Sequence, residues 1–335
     1  MSPTVSAVPH GGDLADAARL AAPPKDGWLD LSTGINPHAY PAAIPPEALT
    51  RLPQRSRLDA LLAAARTAYA VPPGSGIVAA PGTQAIIQWL PRLVPAERVT
   101  VVGPTYAEHA AAWRPHAATA EADELPAEGL AVVVNPNNPT GRVHAPGTLR
   151  AAATRDAPDG VALIVDEAFG DLAPEASVAG APGTLVLKSF GKFFGLPGVR
   201  LGFAIGAPDV MGRLSAALGP WAVSGPAIEI GTAALADAAW IATMRRQLAD
   251  ERAALDAVLG AAGLTVIGGT DLFRLVECRD AAGLHRALAR HGIWTRRFEH
   301  APRWLRIGFP GAALPRLAAA LEAVTHASIA TRTQS

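Results

Sequence analysis

Six short runs between residues 76 and 206 limit the folds open to this chain, because each is apolar at consecutive positions. They are "GIVAAPG" (76–82), "RVTVVGP" (98–104), "LAVVVNP" (130–136), "VALIVDEA" (161–168), "TLVLKSFG" (184–191) and "RLGFAIG" (200–206). A strand with one wet face alternates apolar and polar residues, whereas strands apolar throughout are covered on both faces. Helical stretches such as "TQAIIQWLPRL" (83–93) and "APGTLRAAATRD" (145–156) separate several of them. This alternation predicts an α/β fold, with a mostly parallel sheet sandwiched by helices. After residue 208 the pattern changes. Long Ala- and Arg-rich helices over 226–262 precede a smaller α/β unit with strands at "LTVIGG", "LFRLVEC" and "WLRIGF". The expected organisation is an N-terminal arm over 1–39, a large domain over 40–215, and a small C-terminal domain with its linking helix over 216–335.

Bulk properties exclude several roles. A chain of 335 residues, 50% hydrophobic, can fill two compact lobes. Its 29 basic and 29 acidic side chains balance to +0, which argues against a general binder of nucleic acid or of a charged membrane surface. The single cysteine, Cys278, fits a reducing compartment. No apolar run approaches the length of a membrane-spanning helix. The opening "MSPTVSAVPHGGDLADAARLAAPP" lacks the basic and long apolar regions of a signal peptide. A cytoplasmic protein without nucleic-acid or membrane partners is expected.

Ligands of open α/β sheets bind beyond the carboxyl ends of the strands. Here those ends carry Gly82-Thr83-Gln84, Pro104-Thr105-Tyr106, Asn135 through Gly141, Asp166-Glu167 and Ser189 through Lys192. Neither G-x-G-x-x-G after the first strand nor G-x-x-x-x-G-K-[ST] occurs, so nicotinamide and nucleoside-triphosphate sites lack their usual signatures. The lysines are informative because there are only three, Lys25, Lys188 and Lys192; arginine supplies the remaining basic side chains. Arginine stays protonated, whereas a lysine amine can lose its proton and attack a carbonyl. A cofactor with an aldehyde, an aromatic nitrogen ring and a phosphate needs such a lysine. It also needs a carboxylate for the ring nitrogen, a ring to stack on, and N–H groups with an arginine for the phosphate. Each is available at a strand end.

Taken in order, "NPNNPTG" (135–141), "VDEAF" (165–169) and "SFGKFFGLPGVRLGF" (189–203) resemble the fold-type-I pyridoxal-phosphate enzymes. The resemblance runs from "HGGD" to "WLRIGF" and is to the branch of histidinol-phosphate aminotransferase and cobalamin-pathway threonine-phosphate decarboxylase. It implies a homodimer of class I/II aminotransferase-like subunits, pyridoxal 5'-phosphate as cofactor and no metal. Lys192 would bind the cofactor aldehyde and later shuttle a proton, and Asp166 would pair with the pyridinium nitrogen. Asn138 would hydrogen-bond the ring oxygen and Tyr106 would stack on the ring. Gly82, Thr83, Gln84, Ser189 and Arg200, eight residues beyond the lysine, would hold the phosphate. Arg306 matches the arginine that grips the substrate carboxylate. Lys188 is the rival lysine, but it fits neither the Ser-x-x-Lys nor the Lys-to-Arg spacing.

Two departures separate the chain from the aminotransferases of this branch. Phe169 stands where they usually carry a tyrosine after "DEA". Leu52, in "RLPQ" (51–54), replaces the tyrosine that usually reaches the cofactor phosphate of the neighbouring subunit. The "HGGD" (10–13) and "LDLSTGINP" (29–37) segments resemble the decarboxylases, where they fold over the active site. His10, Gly11, Ser32, Gly34 and Asn36 are therefore substrate-site candidates, together with Asn138. Arg296 aligns with an arginine before the last substrate-binding strand and is left open between carboxylate and phosphate. The expected reaction is decarboxylation of L-threonine O-3-phosphate, a small phosphorylated amino acid, to (R)-1-amino-2-propanol O-2-phosphate for cobalamin biosynthesis. Histidinol-phosphate aminotransferase, or another class I/II aminotransferase, is the alternative.

Overall fold

A computed structural model of the chain describes residues 10–155 and 160–332. Residues 1–9 of the expected arm, Asp156 at the end of the helical stretch 145–156, and residues 333–335 lie outside the described residues. The chain divides into two compact units. One is formed by the described residues up to 38 together with those from 245 onward, the other by Ala39–Met244.

Strands are numbered along the chain, beginning with β1 (Leu29–Asp30). The unit Ala39–Met244 is organised on a seven-stranded sheet of β2 (Gly76–Ala80), β3 (Arg98–Val102), β4 (Ala118–Ala122), β5 (Leu130–Val134), β6 (Leu163–Asp166), β7 (Thr184–Ser189) and β8 (Gly202–Gly206). Their order across the sheet is β2-β8-β7-β6-β5-β3-β4. Only β8 runs against its neighbours, β2 and β7; the remaining pairs are parallel. The carboxyl ends of β2, β3, β5, β6 and β7 thus share one edge, and β8 begins there. Every residue of β5, β6 and β8 is buried, as continuous apolar runs require. The edge strand β4, "ATAEA", is mostly exposed and carries no apolar signal, so the sequence pattern does not reveal it. The helix Thr83–Leu93 packs Ile86, Ile87 and Leu90 into the core beside Trp113.

The other unit has an antiparallel sheet of β9 (Thr265–Thr270), β10 (Phe273–Glu277), β12 (Arg296–Phe298) and β13 (Ala301–Gly308), ordered β12-β13-β10-β9. The short strand β11 (Ile293–Trp294) pairs in parallel with β1, so the segment before residue 38 is built into this unit. Gly308 receives the same segment at close range: its N–H donates to the Leu31 carbonyl at 2.8 Å. A Cβ on Gly308 would run into the Thr33 carbonyl. No single described helix is long and apolar enough to cross a membrane. The pair Gly225–Ala236 and Ala238–Ala261 meets that length and composition only jointly, and is bent by 77° at its break.

Candidate active site

The strand ends of the unit Ala39–Met244 enclose a cavity of about 150 Å³, lined by Gly82, Thr83, Gln84, Tyr106, Asn138, Asp166, Ser189, Lys192 and Arg200, among others. These are the residues that the sequence reading assigned to the cofactor. Phe169, Gly191, Pro197 and Leu201 join them in the wall.

Local chemistry explains how each is presented. After β2, Gly82 takes φ +83°, a conformation open to glycine, and caps the helix Thr83–Leu93. A Cβ there would stand 2.8 Å from Arg200 Nη2, and one on Gly202 would stand 2.7 Å from the Thr83 nitrogen. The two glycines keep open a cradle of helix N-terminal N–H groups, the Thr83 hydroxyl and the Arg200 guanidinium. Such a donor set suits a phosphate. The turn after β5 is held from within. Asn137 accepts from Thr105 Oγ1 at 2.6 Å and donates to the Pro104 carbonyl and to Thr140 Oγ1. That rigid turn carries Asn138 into the cavity wall.

Lys192 lies in the short helix Phe190–Phe193 that follows β7. Phe190 and Phe194 stack at 4.5 Å, and Phe194 stacks on Trp240 at 5.5 Å. Phe193 meets the same tryptophan edge-on at 5.7 Å. The aromatic residues flanking the lysine are therefore core, which anchors the turn while Lys192 faces the cavity. Gly191 allows the chain to fold back, since a Cβ there would be 2.7 Å from Pro197 Cα.

Asp166 is 3% exposed. Its Oδ1 accepts from the Ala168 N–H at 3.0 Å and its Oδ2 lies 2.9 Å from His109 Nε2. His109 is fully buried and was missed by the sequence reading; a histidine within "YAEHAAAW" reads as a core residue. Tyr106, three residues earlier, meets the His109 ring edge-on at 6.0 Å. The Tyr106 hydroxyl donates to Gln84 Oε1 at 3.1 Å, and Gln84 Nε2 donates to Glu108 Oε2 at 2.7 Å. Burial, and then the charges of Glu108 and Asp166, push the Tyr106 phenol up to about 12 against an opposing pull from Arg200. The ring is therefore a neutral stacking surface. A buried carboxylate, a lysine, a neutral aromatic face and an anion cradle in one cavity fit pyridoxal 5'-phosphate.

Asn138 apart, the candidates for the substrate fall in the other unit. Arg306 is buried, donates through Nη2 to the Ser32 carbonyl, and lies 5.3 Å from the centre of the Phe273 ring. Burial, and then the neighbouring Arg296, lower it to about 10, so it stays cationic at neutral pH. Arg296 is its direct partner across β12 and β13. Like charges placed so are mutually unfavourable, and a bound anion relieves that. Ser32 Oγ donates to Asp30 Oδ1 at 2.5 Å and accepts from the Gly12 N–H at 2.7 Å. A Cβ on Gly11 would strike the Ser32 carbonyl, so the "HGGD" segment passes against residue 32. His10 is exposed, Gly34 is buried, and Asn36 is buried with its Oδ1 accepting from the His38 N–H at 2.9 Å.

The profile of the aminotransferase class I and II family matches residues 52–324. The chain belongs to that family. A threonine-phosphate decarboxylase from a Sinorhizobium species is 50% identical over 315 residues, covering 89% of this chain and 92% of the relative. The threonine-phosphate decarboxylase of Pseudomonas aeruginosa is 45% identical, covering 93% and 96%. Among solved structures, histidinol-phosphate aminotransferase from Sinorhizobium meliloti in complex with pyridoxal-5'-phosphate superposes with a TM-score of 0.76. It is 20% identical and 98% of each chain is covered, a likeness of fold.

Proposed function

We propose that the protein is a pyridoxal-phosphate-dependent threonine-phosphate decarboxylase, converting L-threonine O-3-phosphate to (R)-1-amino-2-propanol O-2-phosphate for cobalamin biosynthesis. The observation that carries this reading is the 50% identity to a threonine-phosphate decarboxylase over 89% of the chain.

Bound in the cavity, pyridoxal phosphate supplies an electron sink for the pair released at the substrate's α-carbon. The chain's own residues set that up. Thr83, Ser189, Arg200 and the N-terminus of helix Thr83–Leu93, all at the cavity wall, would hold the phosphate. Tyr106, Asn138 and Asp166 line the same cavity; Tyr106 would stack on the ring, Asn138 would hydrogen-bond its oxygen, and Asp166 would hold a proton on its nitrogen. Lys192, in the cavity wall, would hold the cofactor through its aldehyde and is the side chain placed to hand a proton to the substrate's α-carbon. Arg306 and Arg296, partners across β12 and β13, would take the two substrate anions, with His10, Gly11, Ser32, Gly34 and Asn36 as further binding residues. Which bond breaks depends on which substituent is held perpendicular to the ring, a positioning effect. Phe169, buried in the cavity wall, replaces the hydroxyl that the aminotransferases of this branch offer.

The active protein is a homodimer in the cytoplasm. Leu49, Leu52 and Trp221 are 70%, 65% and 60% exposed, and the Ala48 backbone, next to Leu49, lies against Gly225, four residues after Trp221. That apolar surface suits a second copy. The single cysteine, Cys278, suits a reducing compartment.

Mass spectrometry of products from threonine phosphate, with cofactor and no keto acid present, tests the reaction. Loss of CO2 with retention of the amine is expected. Unchanged threonine phosphate, with conversion of histidinol phosphate and 2-oxoglutarate instead, would make the enzyme an aminotransferase.

A further inference from the structure

Glu167 and Lys188 lie outside the cavity, yet each is one residue from a group that lines it, Asp166 and Ser189. β6 and β7 are parallel neighbours with Asp166 opposite Leu187, and the Glu167 N–H continues the ladder to the Leu187 carbonyl at 2.9 Å. Side chains alternate across a strand. Asp166 and Ser189 therefore face the cavity, while Glu167 and Lys188 meet on the opposite face of the same two strand ends.

There they form an ion pair, Nζ to Oε2, with side chains 3% and 1% exposed. Ser177 Oγ donates to Glu167 Oε2 at 2.6 Å, and the Val178 N–H donates to Oε1 at 2.9 Å. Lys188 Nζ also reaches Ser177 Oγ at 3.4 Å and lies 5.1 Å from the centre of the Tyr69 ring. Gly170 permits this closure. A Cβ there would stand 2.9 Å from Glu167 Cβ and 3.1 Å from Lys188 Nζ.

Burying two charges is costly, and a well-packed apolar pair of similar volume often serves stability as well or better. What the ion pair adds is direction: several charge-assisted hydrogen bonds fix distance and angle where an apolar contact would not. We propose that Glu167 and Lys188 are a positioning couple, which sets the spacing of the β6 and β7 ends and hence the placement of Asp166 relative to Ser189 and Lys192 around the cofactor. Lys188, the second of the chain's three lysines, thus has a task distinct from that of Lys192. The inference rests on the cofactor assignment and is independent of which substrate is turned over.

The test uses the full-length chain carrying Glu167→Met with Lys188→Met, and separately Ser177→Ala. Three quantities are measured: the urea midpoint without cofactor, the Kd for pyridoxal phosphate by equilibrium dialysis, and the visible circular dichroism of the bound cofactor. We expect the double variant to keep the wild-type midpoint, bind the cofactor about tenfold more weakly, and lose most of the dichroic band. Ser177→Ala is expected to shift both cofactor readouts in the same direction by about two- to threefold. A double variant that fails to fold would make the pair structural and overturn the proposal. So would one that folds and keeps the wild-type Kd and band. Neither readout involves threonine phosphate, so a failure here is distinct from a failure of the decarboxylase assignment.

Discussion

His109 Nε2 stands 2.9 Å from Asp166 Oδ2, with both side chains buried. His109 Nδ1 has no hydrogen-bond partner among the described residues, so the ring's polar contact is the carboxylate, and Nε2 must carry the proton it donates. The histidine fixes the orientation of the Asp166 carboxylate, which in the proposed function would meet the protonated ring nitrogen. Stripping that donor leaves a buried carboxylate oxygen unpaired, at a cost of about 1–3 kcal/mol. His109→Leu should lower kcat by about tenfold or more with KM little changed. His109→Gln, which retains an N–H donor, should recover part of the loss; steady-state kinetics on both variants decides.

Lys192 and Lys188 are four residues apart and have different neighbours. Lys188 is paired with Glu167, whereas Lys192 faces the cavity. Lys192→Ala should reduce turnover by at least about a thousandfold and abolish the absorbance of the lysine–cofactor adduct. Lys192→Arg should not restore either, since a guanidinium remains protonated. Absorbance spectra and single-turnover kinetics check this.

Arg306 is pinned by the Ser32 carbonyl and faces Arg296 across two strands. Removing either cation should weaken anion capture more than the chemistry. Arg306→Gln is expected to raise KM for threonine phosphate by about ten- to a hundredfold, in the range of a charge-assisted hydrogen bond, while cofactor affinity stays at the wild-type value. A changed cofactor Kd with unchanged KM would contradict its placement.

His285 supplies a pH dependence of stability. Its Nδ1 lies 2.9 Å from Thr295 Oγ1. Burial first, then Arg297, Arg286 and Arg296, lower it from 6.5 to about 4. The folded state therefore disfavours the proton that the unfolded state accepts, so the unfolded state binds more protons between those two values. Stability from this group is present above 6.5 and is lost as pH falls towards 4. The urea midpoint should fall over that window, and His285→Gln should flatten the fall.

The cavity lining was legible because its residues flank continuous apolar runs, Arg200 before one and the others after, and strand ends on one edge are brought together by the sheet itself. His109 was not, because its carboxylate partner is 57 residues away and a histidine on an apolar helix face looks like packing. The Glu167–Lys188 pair was hidden for a related reason: alternation sends it to the face opposite two residues whose motifs drew attention. β4 escaped because an exposed edge strand needs no apolar pattern. Pairing of β1 with β11 joins segments from opposite ends of the chain, a contact that no local pattern encodes.

Turnover of threonine phosphate in D2O, with cofactor and without keto acid, addresses the central claim most directly. The account predicts evolution of CO2 and one deuterium on the amine-bearing carbon of the aminopropanol phosphate, delivered through Lys192. Recovered threonine phosphate that has exchanged its α-hydrogen for deuterium, with no CO2 evolved, would contradict it.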